Sequence, residues 1–259
     1  GSAKPSEEEK KGVPHYLIDV ASPKDSFSVG DYEELAVPAV EDISGRGKIP
    51  IICGGTGFYV NSVLYSMSYG LSKGDIGIRR KYEHTAEEKG REFVYSILKE
   101  KDPETAAKLH PNDLVRVIRA LEIFDATGVK KSDIKDEMVP RYDFIALMPT
   151  LPREILYERI NARVDNMMSC GLTSEVRSLL ESGVTLEDQC MQGIGYKETA
   201  EAILSGTEIP TEQIKMNTRR YAKRQITFFK RFQNLYPIDF TNDDKSEKTF
   251  KIIDNFLNS

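Results

Sequence analysis

Tyr32, Leu35, Ala36, Ala39, Val40 and Ile43 recur at helical spacing, and Ser28 with Asp31 three residues on gives the start signal of a capping box. The spacing predicts a helix, kinked where Pro38 interrupts it and stopped by "SGRGK". Short apolar runs flank it, "HYLIDV" at 15–20 and "IPIIC" at 49–53, each suited to a strand. Strand, helix and strand over 15–53 read as a parallel unit. From about 71 to 139 the character changes to charged helical patterns such as "IRRKYEHTAEEKG", "EFVYSILKEKD" and "PNDLVRVIRALEIFDATG", with few strand candidates. That stretch predicts a helical insertion. "DFIALMP" (143–149) then returns to the sheet, and Pro152 opens a helix running to about Cys170. Helices are expected at 173–182, 195–205 and 210–233, followed by the strand "YPIDF" and a last helix near 245–257. The expected class is α/β, a parallel sheet flanked by helices with an all-helical insertion domain.

Composition narrows the class without changing it. The chain has 259 residues, 39% hydrophobic and 30% charged, ordinary values for a globular protein. Cys53, Cys170 and Cys190 stand alone, so neither a zinc site nor a disulfide framework is indicated, and a reducing cytoplasmic location is expected. His15, His84 and His110 fit no metal or nucleophile pattern; no metal ligands are predicted in this chain, and His110 is expected to order a helix start. No apolar run approaches the roughly 20 residues of a membrane span, and the first residues are charged, unlike a signal peptide. No membrane partner is expected, and a monomer is favoured.

Charge adds a partner class. The net charge is −5, yet Lys215, Arg219, Arg220, Lys223, Arg224, Lys230 and Arg231 fall in one stretch free of acids, while acids gather at 7–9, 31–42 and 239–247. A basic stripe on an acidic protein suits an anionic polymer.

"KIPIICGGTGFYV" (48–60) carries the first candidate chemistry. Small residues between an apolar run and a helix leave backbone N–H groups at the positive end of the helix dipole, an anion site as readily as a plain tight turn. The usual phosphate loop, Gly-x-x-x-x-Gly-Lys-[Ser/Thr], does not occur. Arg116 and Arg119 share one helix face, and Arg159 and Arg163 lie four apart on another helix. Arginine forks grip phosphate oxygens, although Arg116 and Arg119 also fit a solvated surface and Arg159 also fits a structural role.

"VPHYLID", "GRGKIPIICGGTGFYV", "HPNDLVRVIRALEIF", "GIGYKE" and "RRYAKRQITFFKR", in this order, closely resemble the tRNA dimethylallyltransferase (IPP transferase) family over nearly the whole chain. The resemblance implies a P-loop NTPase-like parallel sheet and transfer of a dimethylallyl group from dimethylallyl diphosphate to the N6 amine of the adenosine 3′-adjacent to the anticodon. It implies diphosphate binding by Gly54, Gly55, Thr56, Arg159 and Arg163, with Thr56 and Arg163 catalytic. It also implies contacts to the tRNA anticodon stem-loop from Arg116, Arg119, Gln192, Gly195, Tyr196, Lys197, Arg219, Lys223, Arg224, Gln225, Thr227 and Lys230. Phe228 stands where the family usually has tryptophan, and Arg220 replaces a frequent glutamine. Magnesium is implied as cofactor, its ligands expected upstream together with the family's phosphate loop and the Asp-Ser-x-Gln aspartate that acts as base. Three divisions are expected: 1–70 as part of the α/β core, 71–139 as the tRNA-binding insertion, and 140–259 as the rest of the core with basic helices. The chain alone is expected to be inactive; a non-catalytic tRNA-binding fragment and an adenylate (cytokinin-type) isopentenyltransferase are the alternatives.

Overall fold

The computed structural model describes residues 4–66, 74–134 and 138–258. It divides into two units, Gly1–Val63 with Asp143–Ser259, and Leu64–Tyr142. The division expected between 70 and 71 lies outside the described residues.

In the first unit, α1 (Glu7–Lys10) is one capped turn. α2 (Val29–Gly45) starts where the sequence pattern places it: Ser28 Oγ accepts from the Asp31 N–H, and the Asp31 carboxylate accepts in return from the Ser28 N–H. It runs through Pro38 and gives way to Gly47, which turns the chain at φ +67°. α3 (Gly57–Leu64) follows the glycine-rich turn.

Among its described residues, the second unit has helices and a short antiparallel ladder of β1 (Tyr65–Ser66) with β2 (Val139–Pro140). Between them lie α4 (Ile76–Lys89), α5 (Arg91–Lys101), α6 (Pro103–Ala107) and α7 (Leu114–Thr127). Their apolar stripes meet in a core of Tyr82, Val94, Leu98, Val117, Ile118 and Leu121. Asp102 is buried where α5 passes into α6 and accepts from the Thr105 and Ser132 N–H groups, each at 3.0 Å. Burial pushes its carboxyl up, but the hydrogen bonds from Thr105 and Ser132 prevail and hold the pKa at about 2. His110 orders the approach to α7: its Nδ1 lies 3.1 Å from the Asn112 N–H, and its carbonyl accepts from the Asp113 N–H.

The first unit resumes with β3 (Ala146–Thr150), α8 (Arg153–Ser169), α9 (Leu172–Glu181), α10 (Tyr196–Ser205), α11 (Thr211–Phe229), β4 (Leu235–Asp239) and α12 (Lys245–Leu257). β3 and β4 pair in parallel, from Ala146 opposite Leu235 to Thr150 opposite Asp239. A parallel pair joined through helices is the α/β arrangement. α9 and α10 enclose a core of Leu172, Val176, Val184, Met191, Tyr196 and Ala200.

Two expected strands are not formed. Across 15–20, Leu17 and Asp19 have φ of 59° and 57°, a left-handed backbone that no ladder tolerates, and Asp19 is ion-paired to Lys4. Residues 49–53 form no ladder with any described strand, and Ile51 is 86% exposed. Apolar composition marks a segment for burial, but only a hydrogen-bonded neighbour makes it a strand.

Candidate functional site

The turn Gly54-Gly55-Thr56 is held by α11. The Gly55 carbonyl accepts from Gln225 Nε2 at 3.1 Å and from the Tyr221 hydroxyl at 3.5 Å. A Cβ on Gly55 would fall 1.9 Å from Gln225 Nε2, and one on Gly57 would fall 2.2 Å from the Phe228 ring. Close approach of a helix, rather than a left-handed backbone, therefore requires glycine at 57, whereas the flexible end of Gln225 can move away from a side chain at 55. Phe228 has little room to retreat, since the Phe58, Phe229 and Phe232 rings pack on it at 5.6, 5.6 and 6.4 Å. Gly57→Ala is expected to cost about 1–3 kcal/mol through overpacking, read as a lower urea midpoint at unchanged slope. Thr56 is exposed at the start of α3, where the first helical N–H groups and the dipole favour an anion.

α8 carries Arg159 and Arg163 on its exposed side and buries Ile160 and Val164. It packs on α11 through polar contacts: Arg219 Nη1 donates to Asn161 Oδ1 at 2.6 Å, Lys215 pairs with Asp165 at 2.7 Å, and the Arg219 guanidinium lies 5.8 Å from the Tyr157 ring centroid. α11 is thus the common support of the glycine-rich turn and the arginine helix. Its faces are separated by helical spacing. Tyr221, Gln225 and Phe228 meet the turn, Lys215 and Arg219 meet α8, and Arg220, Lys223, Arg224, Thr227 and Lys230 are exposed.

The sites implied by the resemblance are therefore of two kinds. Gln225 and Arg219 are engaged with neighbouring elements. Lys223, Arg224, Thr227 and Lys230 form an outward cationic and polar stripe. The same holds at the start of α10. Gly195, at φ +93°, is buried among Leu172, Met167 and Ile214, and Tyr196 is 9% exposed with its hydroxyl donating to Glu175 at 2.7 Å. Burial and then the Glu175 carboxylate raise the Tyr196 hydroxyl well above the usual tyrosine range. Gln192 and Lys197 are exposed, although Gln192 also donates to the Leu186 carbonyl. With Ile194, Glu198, Asn217 and Arg224 they line a pocket of about 220 Å³.

In the second unit, Arg116 and Arg119 separate in the same way. The Arg116 side chain is 72% exposed and pairs with Asp113 at 3.3 Å. Arg119 is 33% exposed and donates from Nη1 to Glu122 Oε2 at 2.8 Å. Sequence reasoning missed Glu122, although its spacing of three from Arg119 was the available signal. Among the described residues, no group of three or more His, Cys, Asp or Glu gathers as a metal site, and no helix is long and apolar enough to cross a membrane.

A family model described as IPP transferase matches residues 1–232. The tRNA dimethylallyltransferase of Acetivibrio thermocellus is 42% identical over 262 residues, covering 99% of this chain and 84% of the relative. The crystal structure of the full-length tRNA isopentenylpyrophosphate transferase from Bacillus halodurans is similar with a TM-score of 0.70 at 37% identity, over 99% of this chain and 82% of that one. A eukaryotic dimethylallyltransferase captured acting on tRNA gives a TM-score of 0.80 at 29% identity, over 98% of this chain and 68% of that one. Taken with the glycine-rich turn seated on a basic helix, the match over residues 1–232 means that this chain belongs to the IPP transferase family.

Proposed function

We propose that this chain modifies tRNA as a dimethylallyltransferase: the N6 amine of the adenosine 3′-adjacent to the anticodon attacks the allylic carbon of dimethylallyl diphosphate. The new N–C bond forms as the C–O bond to diphosphate breaks, diphosphate leaves with the electron pair, and the amine proton passes to a base. A base in an anticodon loop is taken out of its stack at modest cost, which lets the amine reach the donor.

In this reading Gly54, Gly55 and Thr56 present the start of α3 to the diphosphate, and Arg163, with Arg159 beside it, meets the charge that grows on the leaving group. Lys223, Arg224, Thr227, Lys230, Gln192 and Lys197 take the RNA backbone from the first unit, and Arg116 and Arg119 take it from the second. Gly195, Tyr196, Arg219 and Gln225 serve the same contacts indirectly, as supports of the elements that make them. The reading places the chain in the cytoplasm. Magnesium, implied by the resemblance, finds no matching ligand cluster among the described residues. The roles proposed for the residues present are the tRNA grip and the leaving-group contacts.

The observation that carries the reading is the family match with the turn docked on α11, whose opposite face is the cationic stripe. Its test is binding of the chain to an unmodified anticodon stem-loop across a salt series, with AMP as the competing acceptor. Salt-sensitive binding of the stem-loop that millimolar AMP leaves unchanged supports a tRNA enzyme; displacement of the stem-loop by AMP overturns it in favour of a free-nucleotide prenyltransferase.

A further inference from the structure

Glu198, on the first turn of α10, holds two elements at once. Its Oε2 accepts from the Gly195 backbone N–H at 2.8 Å, the half of the contact that caps the helix. Its Oε1 accepts from Asn217 Nδ2, on α11, at 2.6 Å. Asn217 Oδ1 accepts in turn from Gln213 Nε2, one turn earlier on α11, at 3.0 Å. Beneath this polar tie the backbone is seated on the same face of α11: a Cβ on Gly195 would stand 3.8 Å from Ile214 Cγ2, and Ile214, three residues before Asn217, is fully buried. Glu198 and Asn217 are half-buried, whereas Lys197, beside the one, and Arg224, two turns beyond the other, are exposed. All four line the same pocket.

A helix cap uses one carboxylate oxygen, so capping does not account for the second bond, which reaches a different helix. That bond fixes the start of α10 relative to α11, and with it the separation of Lys197 from Arg224. The Arg224 guanidinium is oriented from its own helix, 5.6 Å from the Tyr221 ring centroid. Phosphates follow one another along an RNA strand at a set spacing, so cations from two elements serve one strand only while their separation holds. A tie made before binding lowers the ordering cost of the complex.

We propose that Glu198 and Asn217 are positioning residues for RNA binding: their hydrogen bond sets Lys197 against Arg224 so that the two contact backbone phosphates of one strand. This rests on the tRNA reading above. Asn217 carries no charge, so removing it changes the salt dependence of binding only by displacing the cations. Each phosphate contact contributes about 0.7–0.9 to the slope of log affinity against log salt. With the full chain and an unmodified anticodon stem-loop, Asn217→Ala is expected to lower that slope by about 0.7–0.9 at an unchanged circular dichroism spectrum. Lys197→Gln should lower it equally, and the two together no further, because both remove the same contact. Exchanging donor and acceptor supplies a rescue. Asn217→Asp alone sets a carboxylate against Glu198 and should weaken binding. Adding Glu198→Gln restores the bond, leaves the new amide oxygen for the Gly195 N–H, and keeps the wild-type net charge, so affinity and slope should return to wild-type values. This pair decides the matter if Asn217→Ala does not fold. A wild-type slope in folded Asn217→Ala or in Lys197→Gln, additive losses when the two are combined, or a double exchange that binds no better than Asn217→Asp overturns the proposal and leaves the tRNA reading intact. Salt-insensitive binding by the wild-type chain overturns both.

Discussion

Arg163→Ala is expected to slow dimethylallyl transfer in a single turnover by about 100- to 1,000-fold while tRNA affinity stays within about twofold. Breaking the allylic C–O bond moves negative charge onto the departing diphosphate, and a fixed guanidinium stabilises that charge most where it is greatest, in the transition state. Arg163 stands on the exposed side of α8, one turn from Arg159, while Ile160 and Val164 anchor the helix beneath them. The helix is fixed in turn by the Asn161 and Asp165 contacts to α11. The helix thereby sets where the Arg163 backbone stands, one turn from Arg159. Arg163→Lys should recover part of the rate, since a point charge replaces the fork without its bidentate geometry. The measurement is rapid quench with this chain joined to a segment carrying the family's phosphate loop and base. Lost tRNA binding with an unchanged single-turnover rate would remove Arg163 from the chemistry.

The largest stability effect is expected at Leu121. Its side chain is fully buried in the core shared by α4, α5 and α7, so Leu121→Ala loses both transfer free energy and packing around a cavity, about 2–5 kcal/mol. Leu121→Met, nearly equal in volume, should cost less than about 1.5 kcal/mol. Chemical denaturation reads both. α7 also carries Arg116, Arg119 and Glu122, so the Ala variant should lose tRNA affinity as the temperature rises and recover it on cooling, in step with the folded fraction. A cost below 1 kcal/mol would mean that the core closes around the gap.

Local signals along the chain were legible where one segment contains its own explanation. Ser28 and Asp31 state the start of α2 because both partners of the capping box lie within three residues, and the α11 stripe of Arg220, Lys223 and Arg224 is visible as cations at helical spacing. Features made by distant segments were not. "IPIIC" has the composition of a buried strand, yet pairing depends on a neighbour that its own residues cannot specify. The glycines of the turn were read as a place for phosphate; that Gly55 and Gly57 also admit Gln225 and Phe228 depends on α11, some 170 residues away. Tyr196 and Arg219 came in as RNA contacts through the resemblance, whereas one hydroxyl is committed to Glu175 and the other side chain to Asn161. Arg119 with Glu122 was readable at a spacing of three, but the bond to Glu122 from Arg79, 43 residues away, was not.

The most direct test of the account incubates unmodified tRNA, dimethylallyl diphosphate and magnesium with these 259 residues, alone and joined to a segment carrying the phosphate loop and Asp-Ser-x-Gln strand, and looks for N6-dimethylallyl adenosine by mass spectrometry of the digested RNA. The account predicts the modified nucleoside from the joined form, at the position 3′ of the anticodon, with tRNA bound by both forms. A joined form that binds tRNA without modifying it would contradict the transferase reading itself.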